Sequence, residues 1–151
     1  CWIKRGESHS LHHEDVCYAR HAEEAQELLQ EFFLRGIKKA VINRHLDGEL
    51  VKFYGVEGSP FFYTFYPFRQ QHGKATDPGK PQADPEKMRE MCEKAAKELD
   101  VKVYGGDCIL SDDGSLSLID INDWPSFAPC RQEAAPAIAK YVMSAIKEHN
   151  S

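Results

Sequence analysis

The chain has 151 residues, of which 42% are hydrophobic and 28% are charged, and its formal net charge is −5. This length and composition predict one globular domain with a hydrophobic core, and they exclude a collagen-like or disordered chain. The acidic balance argues against a nucleic-acid partner, because phosphate binding requires a basic face. No apolar run approaches the roughly 20 residues that span a bilayer, so no membrane partner is expected.

The cysteines predict the cellular compartment of the protein, and the first residues suggest that the chain is part of a longer one. Five scattered cysteines without a C-x-x-C pair predict reduced thiols in a cytoplasmic protein: Cys1, Cys17, Cys92, Cys108 and Cys130. The chain opens on CWIKRG, a strand-like run without an initiator Met, which suggests a piece cut from a longer protein.

The first half of the chain is predicted to combine short strands with one helix. The strands are apolar runs bounded by polar turns, over residues 1–5, 15–20, 39–46, 49–57 and 60–67. The helix covers 22–34, where apolar residues recur at helical spacing, and Gly36 ends it. Tight-turn pairs separate the last three strands, so these three are predicted to form an antiparallel meander.

The second half is predicted to add two helices and a hairpin. After a polar Gly/Pro loop over 68–83, Asp84 and Pro85 begin a helix as its cap and first-turn proline. Its buried stripe is Met88, Met91, Cys92, Ala95 and Leu99. A last helix runs from about Glu133 to His149, with Pro136 in its first turn. Its inward residues are Ile138, Tyr141, Val142, Ala145 and Ile146. This order predicts an α+β fold, with antiparallel sheets and helices on one side.

The hairpin, GGDCILSDDGSLSLIDINDW, carries an acid on each strand. With Asp113-Gly114 at the centre of its turn, Leu110 faces Ser117 and Asp107 faces Asp120. A three-residue loop would break this register, whereas a loop of two or four residues keeps it.

Opposed carboxylates destabilise a sheet unless something compensates their repulsion. Asn122 returns to the face of Asp120, so two carboxylates and an amide converge. Oxygen ligands of this kind suit Mg²⁺, and we predict a metal site of Asp107, Asp120 and Asn122. The alternative is two acids at a hairpin edge, each separately solvated.

An acid, a second acid 13 residues later across a hairpin, and Asx two residues further resemble the ATP-grasp superfamily. In that family, which includes many carboxylate–amine ligases, the last two strands present Asp and then Glu-x-Asn to two Mg²⁺ ions. Asp120 therefore stands where the family usually has Glu. The resemblance implies ATP and Mg²⁺ as cofactors. It also implies a ligase-type reaction that activates a substrate carboxylate as an acylphosphate for attack by an amine.

The resemblance extends to other stretches of the chain. WIKR resembles the strand with an ATP-contacting lysine, which gives Lys4 that role, and Lys52 falls where relatives carry a basic residue that reaches the phosphates. VINRHLDG resembles the hinge strand at adenine, which implicates Asn43, Arg44, His45 and Leu46. Separately, Arg131 follows the turn after the hairpin, where a guanidinium could hold a substrate carboxylate or an acylphosphate.

Residues 1–151 are thus predicted to be the C-terminal portion of an ATP-grasp domain. An upstream strand with another ATP-binding lysine and an N-terminal substrate domain would precede Cys1 in the same parent chain. The small-molecule substrate is not predicted. Alternatives are an inositol-phosphate-like kinase of the same fold and a non-catalytic nucleotide-binding or regulatory domain.

The loop GESHSLHHED replaces the family's glycine-rich phosphate loop. Ser8, His9 and Ser10 could form a polar lid over a triphosphate, and a plain solvated loop is the alternative. A zinc site at His9, His12 and His13 is disfavoured, because no distant third ligand is visible.

Overall fold

The computed structural model describes residues 1–6, 12–70 and 81–149, except the side chain of Gln70. Two compact units divide the chain at residue 46, and we call residues 1–46 unit 1 and residues 47–151 unit 2. Each unit has its own antiparallel sheet. The structure therefore confirms a mixed α+β architecture with antiparallel sheets.

Unit 1 packs one helix on a three-stranded sheet. Its elements are β1 (Trp2–Arg5), β2 (Val16–Tyr18), α1 (Ala22–Leu34) and β3 (Ala40–Asn43), with a 3₁₀ turn at His13–Asp15. The strand order is β2-β1-β3. The core consists of Ile3, Ala19, Phe32 and Ile37. As predicted, α1 spans 22–34, and Gly36 follows it with the positive φ of +77° that ends helices.

Unit 2 is built on a four-stranded sheet of order β5-β4-β6-β7. Its strands are β4 (Glu49–Val56), β5 (Phe62–Phe65), β6 (Val103–Leu110) and β7 (Leu116–Asp123). Its helices are α2 (Pro67–Gln70), α3 (Pro85–Glu98) and α4 (Arg131–His149), with a 3₁₀ turn at Ala128–Cys130. The core lies under α3, and it includes Val51, Phe53, Met88, Cys92 and Cys108.

The start of α3 follows the predicted cap. The Asp84 carboxylate accepts hydrogen bonds from the amides of Glu86 and Lys87, at 3.1 and 3.3 Å. Pro85 occupies the first turn, where a missing N–H costs nothing. Leu99 was predicted to be buried, but it is the C-cap residue after Glu98 and is 60% exposed.

The predicted three-stranded meander is wrong in its first pairing, because β3 does not pair with β4. β3 pairs with β1, and β4 pairs with β5 and β6, so Asp47-Gly48 does not join two paired strands. Gly48 has a φ of +150°, and a Cβ there would lie 2.5 Å from the backbone oxygen of Leu110. This glycine permits a close backbone approach instead of a hairpin turn.

The last helix also differs from the prediction. It begins at Arg131, so Pro136 lies inside the helix instead of in its first turn. Ala134 is buried and Ile138 and Tyr141 are half-buried, whereas three residues predicted to face inward are exposed: Val142, Ala145 and Ile146. Within the described part of the chain, no helix has the length and apolar character needed to cross a membrane.

The helices of unit 2 do not all lie on one side of the sheet. Tyr54 points away from the face of Phe53, because side chains alternate along a strand. Its ring lies 5.5 Å from that of Phe127, just before α4. The segment that leads into α4 therefore covers part of the face opposite α3.

Candidate functional site

The hairpin turn of β6 and β7 is a three-residue loop. The amide of Ser111 donates to the carbonyl of Ser115 at 3.0 Å, and the amide of Gly114 donates to the carbonyl of Ser111 at 2.9 Å. Gly114 has a φ of +81°, which is typical of the last residue of such a loop. Leu110 consequently faces Leu116, and the predicted pairing of Leu110 with Ser117 is wrong.

A β-bulge then restores the predicted pairing of the two acids. Cys108 faces Leu118 but Asp107 faces Asp120, so Ile119 is an extra residue on β7. Without this bulge, the register of the turn would pair Asp107 with Ile119 and move Asp120 to the core face. Asp107 and Asp120 are therefore opposite each other, as predicted, although the loop has the length that should have separated them.

Lys52 extends this pair across the sheet. It lies opposite Asp107 on β4, and its Nζ is 2.7 Å from Asp107 Oδ1. The two side chains are 37% and 24% exposed. On the far side, Asn122 Nδ2 donates to Asp120 Oδ2 at 2.7 Å. We call Lys52, Asp107, Asp120 and Asn122 the carboxylate row.

The ammonium group of Lys52 compensates part of the repulsion between the two acids. One oxygen of each carboxylate is used in these contacts, Oδ1 of Asp107 and Oδ2 of Asp120. The other oxygen of each carboxylate is not used in these two contacts, and carboxylate oxygens suit a hard cation.

Aromatic residues border the carboxylate row on the same face. Tyr54 lies two residues beyond Lys52, and its ring is 6.3 Å from that of Tyr63. Gly105 faces Asn122, and a Cβ there would lie 2.8 Å from Cγ of Pro125. The aromatic residues and Pro125 thus cover the part of this face next to the carboxylate row, and the row itself is partly exposed.

Tyr54 adds a neutral hydroxyl to this face. Burial raises the pKa of Tyr54, and the nearby Cys130 and Asp107 raise it further. The phenol is therefore protonated at neutral pH. Tyr54 was not predicted from the sequence, although its position two residues from Lys52 places it on the same face of the strand.

The oxygen ligands of the carboxylate row are suited to one cation that takes its remaining ligands from water or phosphate. Among the described residues there is no group of three or more His, Cys, Asp or Glu side chains that could hold a metal. The carboxylate row offers two carboxylates and one amide oxygen, so Mg²⁺ would complete its octahedron with water or phosphate oxygens.

Unit 1 brings three of the predicted nucleotide-binding residues to one face of its own sheet. Trp2 and Lys4 share the face opposite the buried Ile3. Asn43 faces Trp2 across β1 and β3. His45 follows β3, and its Nδ1 accepts a hydrogen bond of 3.1 Å from Trp2 Nε1.

Three rings make a contiguous aromatic surface on this face. The Trp2 and Tyr18 centroids are 5.1 Å apart, and those of Tyr18 and His45 are 5.2 Å apart. We call Trp2, Tyr18 and His45 the aromatic cluster. Trp2 and Tyr18 were missed from the sequence, although the alternation of β1 places Trp2 on the face of Lys4.

The remaining predicted site residues lie outside the carboxylate row and the aromatic cluster. Arg44 is exposed and Leu46 is half-buried in the segment after β3. Arg131 is exposed at the first residue of α4. His12 and His13 are exposed, and His13 Nε2 is 3.6 Å from the Glu14 carboxylate. Three residues of the predicted polar lid lie outside the described residues: Ser8, His9 and Ser10. Most of the polar loop over 68–83 lies outside them as well.

Comparisons with known proteins do not assign a family. No protein-family model matches the chain, and no curated protein matches its sequence.

Proposed function

We propose that this chain is part of a Mg²⁺-dependent, ATP-using enzyme of the ligase type. The observation that carries the proposal is the carboxylate row, in which a lysine ammonium, two opposed carboxylates and an amide share one partly exposed sheet face. Phosphoryl transfer requires this combination, since metal ligands and a cation must neutralise a charged triphosphate. The resemblance of the sequence to ATP-grasp enzymes selects ATP and an acylphosphate reaction.

Each residue has a defined task in this proposal. Asp107, Asp120 and Asn122 would hold Mg²⁺, which neutralises phosphate charge when bound. Lys52 would exchange its bond to Asp107 for a phosphate oxygen as charge builds on the transferred group. Tyr54 would supply a neutral hydroxyl donor at the same face.

Unit 1, taken by itself, carries the other residues for which the resemblance implies nucleotide contacts. Lys4 presents an ammonium group for phosphate, and the aromatic cluster offers ring faces on which a purine can stack. Asn43 adds an amide that can hydrogen-bond to the edge of the base.

The reaction itself needs no protein nucleophile. A substrate carboxylate oxygen attacks the γ-phosphorus, the bond from that phosphorus to the β-phosphate oxygen breaks, and ADP leaves. An amine then attacks the acyl carbon, the acyl C–O bond breaks, phosphate leaves, and the amine loses a proton. Arg131 would orient the substrate carboxylate through a bidentate contact.

A binding domain without turnover is the second candidate. It is favoured by the contacts already made within the carboxylate row, where Lys52 satisfies Asp107 and Asn122 satisfies Asp120. In that case the row would hold the sheet together or bind a nucleotide without transferring phosphate.

Calorimetric titration of Mg²⁺-ATP into this chain tests the proposal. Asp120→Asn should weaken binding at least about tenfold, because it removes a charged metal ligand. Asp112→Asn is the matched control, since it changes an exposed acid in the turn of the same hairpin.

Equal affinity in the Asp120 variant, or no Mg²⁺-dependent binding by the unaltered chain, would contradict the proposal. ADP release from Mg²⁺-ATP would distinguish an enzyme from a binding domain. The phosphorylated product would distinguish a ligase from a kinase.

A further inference from the structure

β3 lies at an edge of the sheet of unit 1. It pairs with β1 on one side, and no strand within the described part of the chain pairs with its other side. All of its residues except the last are exposed, and Val41 and Ile42 are 46% and 58% exposed. An edge strand of this kind offers a row of backbone donors and acceptors to which another strand can add.

The register of β1 and β3 shows which backbone groups point to the open edge. The amide of Gly6 donates to the carbonyl of Lys39 at 2.9 Å, which continues the register of the two strands. Hydrogen-bonded pairs alternate along an antiparallel ladder, so Val41 also bonds to β1. The N–H and C=O groups of Ala40 and Ile42 therefore point outward, where they can bond to two residues of an added strand.

Cations flank this edge at both ends. Lys38 precedes β3 and Arg44 follows it; both are exposed, and neither forms an ion pair with a residue that the structure describes. Residues 32–46 include no Asp or Glu. The strand at the other edge of the sheet, β2, instead follows two acids, Glu14 and Asp15. The open edge of β3 is therefore complementary to an extended segment with acids at both ends.

A second copy of β3 is a poor partner for this edge. In the two-fold antiparallel register that bonds the outward groups of Ala40 to those of Ile42 in the other copy, Lys38 lies opposite Arg44 twice. Like charges directly opposite each other destabilise a sheet. The flanking cations thus oppose self-association and favour a partner of the opposite charge.

We propose that the open edge of β3 binds an extended acidic peptide segment as an additional strand. The backbone groups of Ala40 and Ile42 supply the hydrogen bonds, and Val41 and Ile42 contact apolar residues at the centre of the segment. Lys38 and Arg44 pair with acids at its two ends. None of these contacts uses the carboxylate row, so the inference does not depend on the proposed reaction.

The test is an NMR titration of the whole chain, isotope-labelled, with the peptide acetyl-EEVTVEE-amide. Saturable shifts are expected at the backbone amides of residues 38–44, and none are expected in α4. The peptide acetyl-KKVTVKK-amide reverses the charges. A copy of the acidic peptide with both valines N-methylated keeps the charges but lacks the amide donors that face Ala40 and Ile42. Both control peptides should bind at least about tenfold more weakly.

Charge reversal on the protein examines the flanking cations. Lys38→Glu combined with Arg44→Glu should reverse the preference, so that the lysine peptide binds more tightly than the acidic peptide. Both side chains are exposed, so the variant should fold. Lys94→Glu combined with Lys140→Glu is the matched control, because it changes the net charge equally at exposed positions of α3 and α4. This control should still prefer the acidic peptide.

Three results would overturn the proposal: no saturable shifts with the acidic peptide, equal binding of either control peptide, or an unchanged preference in the variant of Lys38 and Arg44. Shifts at residues 38–44 that depend on protein concentration without peptide would also overturn it, since they would show that a second copy occupies the edge.

Discussion

Asp15 shows at the scale of one residue how a buried charge is held. It is fully buried, and its carboxylate pairs with Arg35 NH2 and with Arg5 NH1, the latter at 3.7 Å. The amide of His12 donates to the same carboxylate at 3.3 Å. Removal of one partner from a buried ion pair leaves the others desolvated and uncompensated.

Asp15→Ala should therefore lower the free energy of unfolding of unit 1 by about 3–5 kcal/mol. Trp2 lies in unit 1 and Trp124 in unit 2, so urea unfolding followed by fluorescence in a Trp124→Phe background reports unit 1 alone. Arg20→Ala is the control, because it removes an exposed pair with Glu24 and exposed ion pairs contribute little to stability. A loss as small as that of the control in Asp15→Ala would show that the buried cluster is not stabilising.

The cysteines differ in exposure, and their reactivity should differ accordingly. All five are free; Cys1 and Cys17 are half-buried, and the other three are buried: Cys92, Cys108 and Cys130. Burial raises the pKa of Cys130 to about 11, so its thiol is protonated at neutral pH. The thiolate is the reactive form, and its fraction falls as the pKa rises.

At pH 8 a thiol reagent should modify Cys1 first. Cys17 should react more slowly, because burial and the nearby Glu31 raise the pKa of its thiol. The three buried cysteines should react only after unfolding. Cys130 should become more reactive as the pH rises towards about 11, because its thiol loses its proton in that range. Peptide mapping of the modified protein identifies the sites. Rapid labelling of Cys130 at pH 8 would contradict its burial.

At the scale of one element, the bulge in β7 decides which side chains share a face. Leu118 and Ile121 both pack on the core under α3, although their spacing is odd, because Ile119 is the extra residue between them. Because of the bulge, a hairpin with a three-residue turn still places the half-buried Ile121 on the core face and Asp120 on the opposite face.

Deletion of Ile119 should leave a regular hairpin in which Asp120 still faces Asp107. Since Ile119 is 37% exposed, the deletion should cost no more than about 1 kcal/mol of stability. Deletion of Ile121 instead removes a core side chain and turns Asn122 towards the core, so it should cost several times more. Chemical denaturation of both variants gives the comparison, and equal losses would contradict this role of the bulge.

At the scale of the whole molecule, each unit has a core of its own. Unit 1 packs Phe32 of α1 on Ile3 of β1, and unit 2 packs α3 on the four-stranded sheet through Met88 and Cys92. A compact unit of about 100 residues with its own core can fold without its neighbour.

Residues 47–151 expressed alone should therefore fold cooperatively. The measurement is urea unfolding followed by Trp124 fluorescence, with the whole chain carrying Trp2→Phe as the matched control. Similar midpoints are expected. A fragment without a cooperative transition would show that unit 2 depends on the rest of the chain.

The sequence alone determined what short-range chemistry controls. The helix over 22–34, the cap at Asp84 with Pro85 in the first turn of its helix, and the glycine that ends α1 were all predicted. Each depends on residues within about one turn of each other, because caps and dihedral preferences act locally. The opposition of Asp107 and Asp120 was also predicted, but from a turn length that the hairpin does not have.

Only the tertiary structure decided which distant segments meet. Lys52 and Asp107 are 55 residues apart, and Trp2 and His45 are 43 residues apart. The tertiary structure also determines which strand pairs with β3, where the bulge at Ile119 forms, and why the last turns of α4 are exposed. Strand pairing and burial depend on which surfaces come together in the folded chain, and local sequence patterns do not encode those contacts.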